Sequence, residues 1–194
     1  MQLLFCSTNI HKSKEIQYKL GPTYALKSLN DVGFTGEIEE TAFTFEGNAK
    51  LKAEFGFQHY HLPCFSDDSG LEVEALNLEP GVYSARYAGE AKDDNKNMDK
   101  LLLNLKGITN RKAHFKTVIV YIDIKGEQFV FEGSVSGRII EEKRGDQGFG
   151  YDPVFIPDGY DRTFAEMNMK EKSILSHRAR ALEKFIHFLS TKLH

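Results

Sequence analysis

Two adjacent carboxylates stand in the stretch Phe65-Ser66-Asp67-Asp68-Ser69-Gly70-Leu71, bracketed by hydroxyls and followed by a glycine. Carboxylates this close repel unless a proton or a cation lies between them, and hard oxygen ligands at neutral pH favour magnesium. Consecutive side chains on an extended strand point to opposite faces, so Asp67 and Asp68 serve one site only where the backbone bends, and Ser69-Gly70 is the expected bend. The same residues also fit a solvated turn between strands, with Asp chosen for its local hydrogen bonds.

Three other stretches carry chemistry-bearing residues. Arg144-Gly145-Asp146-Gln147-Gly148-Phe149-Gly150-Tyr151-Asp152-Pro153 packs three glycines, two aromatics and two acids into ten residues. Glycines let a backbone approach a ligand closely, Phe149 or Tyr151 can stack on a planar ring, and Asp152 can accept its hydrogen bonds. A tight turn whose aromatics fill the core explains the same pattern. Lys170-Glu171-Lys172-Ser173 and Ser176-His177-Arg178 lie before and at the last helix, where cations in a first turn oppose the helix dipole and a bound anion would relieve them. Ser7-Thr8-Asn9 ends the first strand and starts a helix, a place where free backbone N–H groups meet anions, with Lys12 adding a full charge.

The elements that must position these groups follow from periodicity. Gln2 to Cys6 reads as a strand, Lys12 to Leu20 as a helix stopped by Gly21-Pro22, and Tyr24 to Leu29 as a second strand. An acidic irregular stretch, Asp31 to Thr41, brings Glu40 to the start of a helix over Thr44 to His59, whose Phe45, Ala49, Ala53 and Phe57 share one face. Lys52 lies near the start of that helix. Leu71 to Ala75 alternates as a strand, Val82 to Tyr87 is expected to be extended, and Asp94 to Leu105 has helical spacing. Phe115 to Ile124 and Gln128 to Val135 form a hairpin about Lys125-Gly126, and Ser176 caps a final helix running to Leu193. Strands mixed with crossover-length helices give an α/β fold with a mixed sheet, in two lobes meeting at a cleft.

Composition bounds the function. The chain has 194 residues, and 25 basic against 28 acidic side chains leave a formal charge of −3, which provides no general drive toward nucleic acid or an anionic membrane. No stretch reaches the length of a membrane span, and no basic segment leads into a long apolar run at the N-terminus. Cys6 and Cys64 have no metal-ligand spacing and are expected as buried free thiols in a reducing cytoplasm.

Seven motifs in this order resemble the inosine triphosphate pyrophosphatases along almost the whole chain. They are Ser7 to Lys12, Glu39-Glu40-Thr41, Thr44-Phe45 with Asn48-Ala49 and Lys52-Ala53, Ser66 to Leu71, Pro80 to Gly89, Gly148 to Pro153, and Lys172-Ser173 with Ser176-His177-Arg178. The resemblance implies hydrolysis of ITP, dITP and XTP to the monophosphate and pyrophosphate, cleansing the nucleotide pool, with magnesium and as a homodimer. It also implies one domain over residues 1–194, an elongated mixed β-sheet flanked by helices, with the active site in a cleft between two lobes. It makes Asp68 the catalytic base and a metal ligand beside Glu40 and Asp67. It sets the triphosphate near Ser7, Thr8, Asn9, Ile10, His11, Lys12, Lys52 and Ser69, and the base near Phe149, Gly150, Tyr151, Asp152, Lys172, His177 and Arg178. Thr8 and Ala42 stand where the family usually has Gly, Gly47 where it usually has Glu, and Leu78 where Gly is common. The competing readings are a magnesium-dependent pyrophosphatase with another base preference and a nucleotide sensor without turnover.

Overall fold

The computed structural model of the protein describes residues 2–192. In chain order the elements are β1 (Gln2–Phe5), α1 (Ile10–Leu20), β2 (Ala25–Ser28), α2 (Phe45–Tyr60), β3 (Cys64–Val73), α3 (Asp94–Asn104), β4 (Lys112–Ile122), β5 (Gln128–Ile139), β6 (Phe155–Pro157), α4 (Met169–Leu175) and α5 (His177–Lys192). The strands form one six-stranded mixed sheet in the order β2-β1-β3-β4-β5-β6. β1 runs parallel to β2 and β3, whereas β6 pairs antiparallel with β5. Gly126 takes φ 84° at the β4–β5 hairpin, a left-handed conformation that glycine enters without steric cost. Among the described residues no helix is long and apolar enough to cross a membrane.

The chain divides into two compact units, one holding residues up to Asp68, Thr117–Gly133 and those from Arg178 onward, the other Ser69–Lys116 and Ser134–His177. In the first unit, strand alternation sorts side chains onto two faces. Leu3, Phe5, Phe65, Ile119 and Tyr121 pack with Ile16 and Leu20 of α1 and with Ala181, Leu182, Phe185 and Leu189 of α5. Leu4, Cys6, Cys64, Val120 and Ile122 pack with Ala49 and Ala53 of α2. α2 comes so near β1 that a Cβ on Gly56 would lie 2.1 Å from Cys6 Sγ, which accounts for a glycine inside a helix. Cys6 and Cys64 are free and buried, and the contact with Cys64 together with burial pushes the Cys6 thiol up. In the second unit Leu71, Val73, Phe115, Val135 and Ile139 pack with Met98 and Leu101 of α3 and with Phe155 and Phe164.

Two sequence expectations are corrected. The backbone does not bend at Ser69-Gly70: β3 continues from Cys64 to Val73, because apolar residues on both sides of the Asp pair are buried in the sheet. Residues Gly81–Arg86 form a 3-10 helix rather than an extended segment, with Ser84 Oγ donating to Gly81 O and accepting from Leu71 N. The last helix, α5, begins at His177 directly after Ser176, as expected, and a further helix, α4, precedes it, closing on the Ser176 N to Lys172 O bond with Ser176 extended at ψ 156°. α4 has its own capping box, Asn168 with Glu171, a signal readable in the sequence. Leu193, the expected helix end, lies outside the described residues.

Candidate active site

The unbent strand decides the chemistry of the Asp pair. Asp67 has the parity of Phe65 and faces α1 and α5; Asp68 has the parity of Cys64 and faces α2. Each carboxylate is therefore met by a different set of partners. Asp67 Oδ1 accepts from Lys12 Nζ at 3.0 Å and Oδ2 from Arg178 Nε at 3.0 Å, while Arg178 Nη1 also donates to Glu15. Burial alone would push the Asp67 carboxyl up, but Lys12, Arg178 and Lys52 hold it well below the usual carboxylate range. Burial likewise opposes the charge on Arg178, and Asp67 and Glu15 overcome it, so the guanidinium stays firmly protonated.

On the other face, Asp68 Oδ2 accepts from Asn48 Nδ2 at 3.2 Å, and Asp68 Oδ1 lies 3.7 Å from Lys52 Nζ. The Lys52 ammonium also bonds Glu40. Asn48 Oδ1 accepts from Ala42 N at 2.9 Å, so one carboxamide ties the loop carrying Glu40 to Asp68 and orients its own N–H groups toward the carboxylate. Burial pushes the Asp68 carboxyl above its ordinary value; Lys52 and Lys12 pull it back, and Glu40 and Asp67 push it further up. Two carboxylates, Glu40 and Asp68, thus lie beside the Lys52 ammonium. This donor set, all carboxylate oxygen, fits magnesium, which typically takes one or two protein carboxylates and fills its other positions with water and phosphate oxygens. Among the described residues no three His, Cys, Asp or Glu side chains gather as a metal group, and Asp67 is not brought to the Glu40–Asp68 pair.

Asn9 caps α1, its Oδ1 accepting from His11 N and Lys12 N at 3.0 and 3.1 Å, so those two amides are held within the loop. Ser7 Oγ accepts from Asn9 N. Thr8, Asn9, Ile10 and His11 are exposed, and Ser69 is half-buried. Ala42 and Gly47, both departures from the family pattern, meet each other: a Cβ on Gly47 would lie 2.5 Å from Ala42 Cβ. A methyl at one position thus requires a hydrogen at the other.

In the second unit the glycine-rich loop turns through left-handed Gly148 (φ 79°) and Gly150 (φ 63°). Asp152 Oδ2 accepts from Phe149 N at 2.9 Å and from Lys172 Nζ at 2.7 Å, both charged groups being buried. Lys172 Nζ lies 5.6 Å from the centre of the half-buried Phe149 ring. Tyr151 instead fills the core, its hydroxyl donating to Ser84 O at 2.8 Å, whereas Phe149 is only half-buried. His177 stacks on Phe115 at 4.6 Å between ring centres. A Cβ on Gly148 would lie 2.0 Å from Asp152 Oδ2, in a conformation that costs an ordinary residue about 1–2 kcal/mol. Gly148→Ala is accordingly expected to lower thermal stability by more than about 1 kcal/mol; an unchanged melting temperature would show that the loop is not held as described.

Three residues in these networks are not singled out by spacing alone. Glu15 is three positions after Lys12 and Asn48 four before Lys52, so helix periodicity was the available signal for both. Asp94, whose Oδ2 accepts from Gly150 N at 2.7 Å, has no local signal.

Fold and site define the class: a mixed-sheet α/β protein with a carboxylate and ammonium cluster in one unit and a glycine-rich aromatic loop in the other. The structure is similar to that of the Staphylococcus aureus Ham1 protein, with TM-score 0.89 and 40% identity over 99% of this chain and 100% of that one. The chain belongs to the Ham1 family, whose sequence model matches residues 3–188. It is 52% identical to a dITP/XTP pyrophosphatase of Flavobacterium psychrophilum over 97% of this chain and 98% of that protein. It is 48% identical to one of Bacillus subtilis over 94% of each.

Proposed function

We propose that this protein hydrolyses non-canonical purine nucleoside triphosphates, among them dITP, XTP and ITP, to the monophosphate and pyrophosphate. The relatives' names supply the substrate class. The observation that carries the reaction is Asp68, gripped on one oxygen by Asn48 while the other lies beside Lys52, which also bonds Glu40.

Water attacks the α-phosphorus, the new P–O bond forms as the bond to the β-phosphate oxygen breaks, and Asp68 takes the water's proton. Its raised pKa suits a general base better than an ordinary aspartate would. Lys52 and Lys12 supply positive charge to the departing pyrophosphate. Glu40 and Asp68 would hold magnesium, which when bound polarises the phosphoryl oxygens and acidifies water. Asp67 acts through Lys12 and Arg178, keeping both cations in place. The loop Gly148–Asp152, with Lys172 and His177, reads the purine ring. One domain, a homodimer and a cytoplasmic location complete the proposal.

Incubation with ITP, XTP, dITP, GTP and ATP, with and without magnesium, tests it. Inosine and xanthosine triphosphates are expected to yield pyrophosphate only in the presence of the metal. Release of orthophosphate, or equal turnover of ATP, would overturn the reading.

A further inference from the structure

We propose that Asp94, at the first position of α3, is a positioning residue for the loop Gly148–Asp152 and thereby for recognition of the purine ring. The inference rests on the reading of that loop as the ring-binding end.

Two consecutive amides of the loop are each claimed by a carboxylate: Phe149 N by Asp152 Oδ2 at 2.9 Å, and Gly150 N by Asp94 Oδ2 at 2.7 Å. Hydrogen bonds to an ionised acceptor are roughly twice as strong as neutral ones. Asp94 is not needed to cap its own helix, because Asp93 already accepts from Lys96 N at 3.1 Å. Its carboxylate instead fastens a residue 56 positions further along the chain. The fastening matters because the loop passes through two left-handed glycines, Gly148 and Gly150, whose backbones have other conformations within easy reach. Asp152 Oδ2 accepts from the first of these amides, Phe149 N, and from Lys172 Nζ. The two peptide planes flanking Phe149 are therefore held, 148–149 at its N–H by the Asp152 carboxylate and 149–150 at its N–H by Asp94, with the Phe149 carbonyl accepting from Asp152 N at 3.3 Å. With them is fixed the direction in which the Phe149 ring leaves the backbone. The Tyr151 hydroxyl anchors the residue beyond, on Ser84 O. Loss of the Asp94 bond releases the N–H side of the 149–150 peptide while leaving Asp152–Lys172 and the whole Asp68 cluster intact.

Kinetics and amide exchange on wild type, Asp94→Ala and Asp94→Asn decide the matter. Asp94→Ala is expected to raise KM for ITP and Ki for IMP by about ten-fold or more, the effect of losing a charged hydrogen bond. The Ki of pyrophosphate, which has no ring, should not move, and the Gly150 amide should exchange faster. Asp94→Asn keeps an acceptor oxygen at the same place and should restore most of both effects. Unchanged Gly150 exchange, an unchanged KM, or a rise in pyrophosphate Ki by the same factor would each overturn the role. A wild-type protein that does not turn over ITP would overturn the proposed function instead, and Gly150 exchange would still test the contact.

Discussion

Asp68→Asn is expected to lower ITP turnover by roughly 10²- to 10⁴-fold, the usual contribution of a general base, while ITP still binds. The carboxamide has the shape of the carboxylate and its oxygen can keep the bond from Asn48, but it cannot take a proton from water. Burial, Glu40 and Asp67 favour the protonated carboxyl at this position and Lys52 and Lys12 oppose it, the balance lying above the ordinary value. That balance is what the substitution removes. The partners of Asp67 lie on the opposite face of β3 and are untouched, so the variant should remain folded. Single-turnover hydrolysis and equilibrium binding of ITP separate the two effects. A rate within a few-fold of wild type at saturating ITP would remove Asp68 from the chemistry.

Arg178→Ala should act mainly on stability. Arg178 is 3% exposed and holds Asp67 and Glu15 together, and Asp67 is itself fully buried. Removing one member of a buried ionic network leaves the others without compensation, typically at about 3–5 kcal/mol. For a chain of this size each kcal/mol shifts the midpoint by about 2–4 °C, so a fall on the order of 6–20 °C in Tm is expected. The pH dependence carries a second signature. In the wild type the depressed Asp67 carboxyl contributes stability that is complete above about pH 4, the unfolded carboxyl value, and is lost as pH falls through the folded one. Without Arg178 the folded value rises, so the contribution shrinks and its loss is finished at higher pH. Thermal melts across the acid range measure both. A variant melting within a degree or two of wild type would show that the guanidinium is not structural.

Local sequence carried much of the fold and less of the site. The hairpin about Lys125-Gly126 and the helices α1, α2 and α3 follow from turn chemistry and periodicity, and all are present. Asp67-Asp68-Ser69-Gly70 has the composition of a turn, yet it lies inside a strand, because the cations that make buried carboxylates tolerable come from elsewhere. Lys12 is 55 positions before Asp67 and Arg178 is 111 after it. No window of sequence contains both. The glycine-rich loop was legible as unusual, but which aromatic fills the core depends on Ser84, 67 positions before Tyr151. The start of α1 shows the converse: Asn9 was visible as a cap, and its capping consumes amides that the strand–turn–helix pattern alone would leave for an anion.

The alternation along β3 makes the chemistry of this protein a question of odd and even. One residue lost or gained between Cys64 and Asp68 would exchange the two faces, turning Asp68 away from Asn48 and Lys52 and Asp67 away from Lys12 and Arg178. Length changes at the hairpin tip, where Lys125 is exposed, leave that parity alone. Among homologues, insertions and deletions should therefore collect at the tip and be absent from the strand.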